Sequence, residues 1–260
     1  MLRRLAATAA LLLSLSAHAT PFSSDTSDLW WNPNESGWGV NVVQQGGIQF
    51  VTLFVYGANG QATWFVGPDT AFQASSNGTA LFTGPLYQTT GPAFAGGFDP
   101  KAVGVRQVGN VTITLTTLVS GSLTYSVDGA VVVKDIQRQT WVVENFAGNY
   151  LGAATGIYSG ACSSTGYQEE PASVAVTQPT TSTFAMTFAS ASRNCSFTGS
   201  YEQDGRMGSA IGSFTCTDGK AGSFGIVEIQ ATPAAINMRI TTTASGCGWQ
   251  SLYSGARRNF

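Results

Sequence analysis

The chain contains a single histidine, His18, and that residue falls in a leader expected to be removed. Arg3 and Arg4 form a charged n-region, Leu5 to Leu15 an apolar core, and Ala17-His18-Ala19 a small-x-small cleavage site. The expected mature chain starts at Thr20 and has no histidine. Ser-His and Cys-His catalysis are thereby excluded, as are the His ligands of most catalytic zinc sites. Charge is also scarce: Asp, Glu, Lys and Arg make up 10% of residues, against about a quarter in ordinary soluble domains. Fourteen acidic residues outnumber twelve basic ones, two of which leave with the leader. Nothing in that balance favours nucleic acid or an anionic bilayer as a partner. The one long apolar run, in the leader, is shorter than the roughly 20 residues of a membrane span. Cysteine is absent before Cys162, so no thiol follows the cleavage site to take a lipid anchor. Missing too are a Gly-x-Ser-x-Gly elbow, a phosphate loop opening a helix, and His-Glu-x-x-His.

What fills the chain instead is Gly, Ser, Thr and Asn between short alternating apolar segments, and no segment keeps a helical period. Residues 20–35 read as a lead-in. Trp38, Val40 and Val42 then share one strand face. In the next run Ile48, Phe50, Thr52, Phe54 and Tyr56 oppose Gln49, Val51, Leu53 and Val55. Both faces of that run are apolar enough to predict a strand covered on both sides. Asn59-Gly60 predicts a two-residue hairpin into Ala62, Trp64 and Val66, with a stop at Gly67-Pro68-Asp69. Residues 89–103 predict a long loop, and Asp128-Gly129 a further hairpin into Ala130–Trp141. Seven or eight strands fit between Ser36 and Trp141, antiparallel because the connections are short. Closure into a meander barrel would remove exposed edges. The boundary falls at Val142–Ala147, and eight more strand candidates follow. The predicted organisation is a leader over 1–19 and two all-β, up-and-down barrel-like domains over 20–146 and 147–260.

All four cysteines lie in the second domain, at 162, 195, 216 and 247. An even count in an exported chain predicts two disulfides, with three connectivities open. Cys195 and Cys216 flank the Asp204-Gly205 turn almost symmetrically, and opposed positions of a hairpin lie within disulfide reach. Cys162, after the first strand, and Cys247, before the last, then meet where a closed barrel joins its ends. A four-cysteine zinc site lacks any close Cys-x-x-Cys pair.

The residues best suited to recognition cluster early. Trp30, Trp31, Trp38, Trp64 and Tyr56 stand beside Asn32, Asn34, Glu35 and Asn41. Flat aromatic surfaces next to amides and a carboxylate suit a sugar, whose C–H face stacks while its hydroxyls take the polar groups. Trp38 and Trp64 read more readily as barrel core. Trp30 and Trp31 are adjacent on an extended chain and must point opposite ways, one into the core and one outward. The candidate ligand-binding set is therefore Trp30, Trp31, Asn34, Glu35, Tyr56 and Trp64. The carboxylates Glu35, Asp69, Asp99, Asp135 and Glu144 carry no motif and read as solvated turn and edge residues. Asp25 and Asp28 lack calcium-loop spacing. Lys134, Arg138, Arg257 and Arg258 read as edge-strand charges that discourage aggregation. The Asn-x-Ser/Thr matches at Asn34, Asn77, Asn110 and Asn194 read as coincidental. Phe260 follows a poor lipid-facing set, which argues against an outer-membrane barrel.

The run Trp30-Trp31-Asn32-Pro33-Asn34-Glu35-Ser36-Gly37-Trp38-Gly39, with Gln44-Gln45, Phe54-Val55-Tyr56 and Gly60-Gln61-Ala62-Thr63-Trp64, resembles a recurrent module. That module, marked by a WWNPxESGWG motif, occurs in exported proteobacterial proteins of unknown function. The resemblance covers about residues 28–67, and the second domain is similar to a less distinctive companion of the same proteins. It implies a secreted or periplasmic bacterial protein and brings no catalytic residue. In shape the domains resemble lipocalin and avidin-type barrels, which hold small ligands in the barrel mouth; fold alone does not give function. The expectation is a non-catalytic binding or envelope-associated protein, its partner a polysaccharide. A small hydrophobic molecule in a barrel mouth and a carboxylate-dependent hydrolase are the alternatives. No cofactor, metal, nucleic acid or membrane span is expected, and oligomeric state is not encoded legibly. Peptide mapping without reduction is expected to recover Cys195 linked to Cys216 and Cys162 to Cys247; either cross-pairing, 162–195 or 162–216, would break the closure argument.

Overall fold

The computed structural model describes residues 24–76 and 79–258. Residues 1–23, Asn77, Gly78, Asn259 and Phe260, and with them the leader, lie outside the described residues. The remainder is two closed, antiparallel, up-and-down barrels of eight strands each. The first comprises β1 (Asp28–Trp31), β2 (Gly39–Gln45), β3 (Ile48–Tyr56), β4 (Ala62–Ser76), β5 (Thr79–Thr90), β6 (Gly104–Leu115), β7 (Ser120–Val127) and β8 (Ala130–Arg138). The second comprises β9 (Gly148–Gly160), β10 (Gly166–Thr177), β11 (Thr183–Ser190), β12 (Asn194–Asp204), β13 (Met207–Cys216), β14 (Ala221–Ala231), β15 (Ala235–Ala244) and β16 (Cys247–Arg257). β1 pairs with both β2 and β8, and β9 with both β10 and β16, so neither sheet keeps an open edge. Strand alternation sends Val40, Val42, Val51, Leu53, Ile113 and Leu123 into the first core. Phe184, Met186, Phe188, Ile226, Met238 and Tyr253 enter the second. Membrane barrels place polar side chains inside; both interiors here are mostly apolar, with Gln49, Thr70 and Arg138 among the few buried polar side chains.

Four local expectations change. The lead-in contains a strand: Asp28–Trp31 is too short to show alternation, yet its ladder to β8 closes the first barrel. β3 is covered on one face only, with Gln49, Val51 and Leu53 inside and Ile48, Phe50, Phe54 and Tyr56 open to solvent. β4 does not stop at Gly67-Pro68-Asp69 but continues to Ser76, its pairing with β5 slipping register between Val66 and Ala71. A bulge absorbs the proline there, since Pro cannot donate to the ladder. The Asn59-Gly60 hairpin is longer than two residues. Gly57 N–H donates to Gln61 O (2.9 Å), Gly60 N–H donates to Gly57 O (2.9 Å), and Gly60 takes φ +74°. That is a type I turn closed by a left-handed glycine, the three-residue solution.

Lys134 and Arg138 are not edge charges either. β8 turns Val131 and Val133 outward, and the alternate phase carries Lys134, Ile136 and Arg138 inward. Arg138 lies at the base of the first barrel with its side chain 1% exposed, 2.9 Å from the equally hidden Asp28. Its Nε donates to Leu118 O (2.8 Å), its Nη2 to Asp25 O (2.6 Å), and its plane covers Trp30 at 4.8 Å. Asp28 Oδ2 also accepts the backbone N–H of Arg206 (2.9 Å), in the turn between β12 and β13. Gly205 of that turn has φ +58°, and a Cβ there would stand 2.2 Å from Asp28 Oδ2. Only glycine lets the second barrel's hairpin seat on the first barrel's ion pair. The connecting segment 139–147 is pinned alongside: Gln139 N–H donates to Leu29 O, Thr140 Oγ1 donates to Gln203 O, and Phe146 is fully buried in the second core.

Removing one member of such a pair strands a buried charge. Arg138→Ala is expected to destabilise the protein by about 3–5 kcal/mol in denaturant titrations followed by tryptophan fluorescence. The double variant Arg138→Met/Asp28→Leu should recover much of that loss.

Candidate functional site

The β1–β2 connection builds its own geometry. Asn32 O accepts the Glu35 N–H (3.0 Å), and Asn32 Oδ1 accepts the Asn34 N–H (2.9 Å). This side-chain-closed turn puts Pro33 and Asn34 at an exposed tip and swings Glu35 back over the barrel mouth. There Glu35 Oε2 accepts both the Trp38 indole N–H (2.9 Å) and the Lys134 ammonium (2.6 Å). The Lys134 Nζ lies 5.8 Å from the Trp38 ring centre. The Lys134 hydrogen bond, then that of Trp38, hold the Glu35 carboxyl below its ordinary pKa. Burial pushes the Tyr125 phenol up in the same mouth. Glu35 is thus a clamp between loop and wall, with its charge already answered.

The outer wall beside this loop is aromatic. Register sets Phe54 opposite Gly39 on one side and Trp64 on the other. One step beyond the Trp30–Val40 pair, the same register places Trp31 beside Gly39. Trp31, Gly39, Phe54 and Trp64 therefore form one transverse row across β1 to β4. Gly39 is the gap that lets Phe54 lie flat: a Cβ there would come within 2.5 Å of the Phe54 ring tip. Gly37, at φ +120°, occupies a backbone region disfavoured for side chains, with the Tyr56 hydroxyl 3.6 Å from where its Cβ would be. The next outward row down holds Asn41 directly opposite Thr52.

The candidate residues divide accordingly. Trp30 is core, 1% exposed, its indole donating to Thr26 O (3.0 Å); it offers no surface. Trp31 is the partner that faces outward, half-buried. Trp64, read as core from its alternation, is 51% exposed, and Tyr56 is 60% exposed. The error has a physical source: β4 alternates Phe65 and Trp64 to opposite sides, and either ring could have been the core one. Asn34 stands at the loop tip. Phe50 and Phe54 join the exposed wall and were absent from the candidate set, although they share the β3 face of Tyr56. Asp28 is committed to Arg138 and Arg206, and Asp25 Oδ1 accepts the Ser27 N–H. Asp99 caps a short 3-10 turn, Pro100–Ala102. Among the described residues no group of three or more His, Cys, Asp or Glu is placed to hold a metal. Disulfides join Cys162 to Cys247 and Cys195 to Cys216, with Cα separations of 4.6 and 4.0 Å.

No family model and no curated protein matches the chain. Among solved structures, a candidate outer membrane protein of Bacteroides fragilis aligns at 15% identity and a TM-score of 0.35, covering 85% of this chain and 95% of that one.

Because the folded Glu35 carboxyl lies below its ordinary pKa, its clamp is complete above the usual carboxylate range and is lost as pH falls through the lowered value. The Trp38 indole N–H resonance should therefore stay constant from neutral pH through that range and move only below it. Glu35→Gln should remove the acid response.

Proposed function

We propose that this is an exported, non-catalytic binding protein whose outer aromatic wall recognises a glycan. The observation that carries the reading is the outward row of half-buried Trp31 with exposed Phe54 and Trp64, with exposed Tyr56 beside it and the Asn41–Thr52 amide and hydroxyl below. Across three inter-strand gaps the row spans about 14 Å, long enough for an extended oligosaccharide to lie across it. Ring faces would take the apolar sugar faces, and the neighbouring polar row the hydroxyls. The rings are held rigid on strands, with Phe54 bedded on Gly39, so little ordering entropy is lost on binding. Export is supported by the two disulfides, which persist in oxidising compartments, together with the signal-like leader. Association with the cell envelope follows if the bound glycan belongs to it.

A carrier for a small hydrophobic molecule is less well supported, because the inward rows of both barrels are filled with packed side chains. A hydrolase is weaker too: Glu35, the carboxylate nearest the aromatic wall, is neutralised by Lys134.

Retention on a panel of immobilised polysaccharides tests the reading. Native protein should be retarded on at least one of them, and Trp64→Ala should weaken that binding by about tenfold or more, roughly 1.4 kcal/mol. Trp64 is exposed, so its removal leaves the core intact. Native protein unretained throughout, or a Trp64→Ala/Tyr56→Ala variant retained equally well, would refute the proposal.

A further inference from the structure

Where the two barrels meet, the outer wall of the first barrel and the connecting segment border an open cleft of about 530 Å³. Small-molecule sites commonly have roughly 300–1,000 Å³ and favour junctions between domains. Leu29 and Val43 of the wall, with Trp141 and Val142 of the connection, give the cleft a largely apolar lining. Trp141 is 75% exposed, more than Trp64, and Val43 and Val142 are exposed as well. Apolar side chains gathered in the open in this way mark interaction sites. The segment that carries the indole is pinned on both sides of it. Thr140 Oγ1 donates to Gln203 O (2.9 Å), and the Glu144 N–H donates to Gln203 Oε1 (2.6 Å).

The polar groups around the cleft divide into committed and open. Gln203 Oε1 also accepts from the Tyr201 hydroxyl (3.1 Å), and its amide nitrogen donates to Gly205 O (2.9 Å). Asp28 is taken by Arg138 and by the Arg206 N–H, while the Arg206 side chain leans toward Asp25 at 3.5 Å. The Asn41 carboxamide and the Glu144 carboxylate also border the cleft. Both are exposed, and neither side chain makes a hydrogen bond or ion pair among the described residues.

This lining restricts the occupant. A bare hydrocarbon would strip water from Asn41 and Glu144 without replacing it. An anion would face Glu144, and an organic cation would face Arg206. A neutral sugar can stack on the indole and satisfy the open polar pair. An acetamido substituent suits the remainder, since it joins an apolar methyl to an amide N–H and carbonyl.

We propose that the cleft between the barrels binds an N-acetylated amino sugar, its ring face on Trp141, its acetamido methyl among the cleft valines, and its polar groups on Asn41 and Glu144. The site goes beyond the glycan reading of the outer wall. Asn41 borders both surfaces, but Trp141 belongs to the connecting segment and takes no part in the wall.

The test is a titration of ¹⁵N-labelled full-length mature protein, following the Trp141 indole N–H, assigned by its loss in Trp141→Phe. Tri-N-acetylchitotriose should shift that resonance saturably. Cellotriose, with hydroxyls in place of the acetamido groups, should need at least a tenfold higher concentration, and trialanine should leave the signal in place. By calorimetry, Trp141→Ala and Glu144→Ala should each weaken chitotriose binding at least tenfold, with unchanged denaturant midpoints confirming that these exposed positions leave the fold intact. Trp64→Ala should bind it as tightly as the native protein. The proposal is overturned if chitotriose leaves the resonance unmoved, or if cellotriose or trialanine matches it. Undiminished binding by either cleft variant, or equal weakening by Trp64→Ala, overturns it as well. Retention on polysaccharides that depends on Trp64, with the Trp141 signal unmoved by chitotriose, would refute this site and leave the wall reading standing; the converse result would do the reverse.

Discussion

The carboxylate of Asp28 and the guanidinium of Arg138 are both almost wholly removed from water, and neither could remain there alone. Their pairing decides much of the rest. It ties the short first strand to the last strand of the first barrel, and it anchors the β6–β7 loop through Leu118 and the N-terminal segment through Asp25. Trp30 is stacked beneath it. Asp28 also receives the backbone of the second barrel's β12–β13 turn, so the same charge that closes one barrel docks the other. Burial lowers the Arg138 pKa and the Asp28 contact opposes that shift, the usual balance for a cation kept ionised inside a protein. A hydrophobic replacement could supply stability; the ion pair in addition fixes which loop, strand and turn meet at that point.

Away from this junction each barrel's far end is differently equipped. The first has a loop clamped by Glu35, Lys134 and Trp38, and beside it an aromatic wall facing solvent. The second has two disulfides surrounding a small polar-lined mouth. Packed interiors leave no room for chemistry in the barrel axes, so recognition falls to walls and rims, where alternation and loop ends expose side chains without disturbing the core.

The WWNPxESGWG segment shows how one stretch divides between these duties. Trp30 is core; Trp31 faces outward; Asn32 shapes the turn; Glu35 clamps it. Gly39 is required because the Phe54 ring from the next strand occupies the space a side chain would fill, and Gly37 because its backbone, at φ +120°, lies where side-chain-bearing residues are disfavoured. An aromatic cluster that reads as a single binding motif is mostly scaffold, and its exposed surface is completed by rings some fifteen to thirty positions along the chain.

The fold class, the approximate strand count and the presence of two barrels were legible in the sequence because they depend on short-range rules: period-two alternation, turn-forming residues, and the scarcity of charge. Disulfide candidates were legible for the same reason, since a hairpin's symmetry places Cys195 against Cys216. Which face of β3 and β4 would be covered was not legible. Both faces are apolar, and whether Trp64 or Phe65 enters the core depends on register with β3 and on a bulge at Pro68, set by strands far apart in the chain. The inward course of Lys134 and Arg138 was hidden likewise, because a charge on a strand reads as exposed until a partner from another element, Glu35 or Asp28, is brought beside it. Sequence alone determined that this chain forms β barrels; only tertiary structure decided which aromatic and charged groups face water, since that depends on contacts between residues the sequence holds apart.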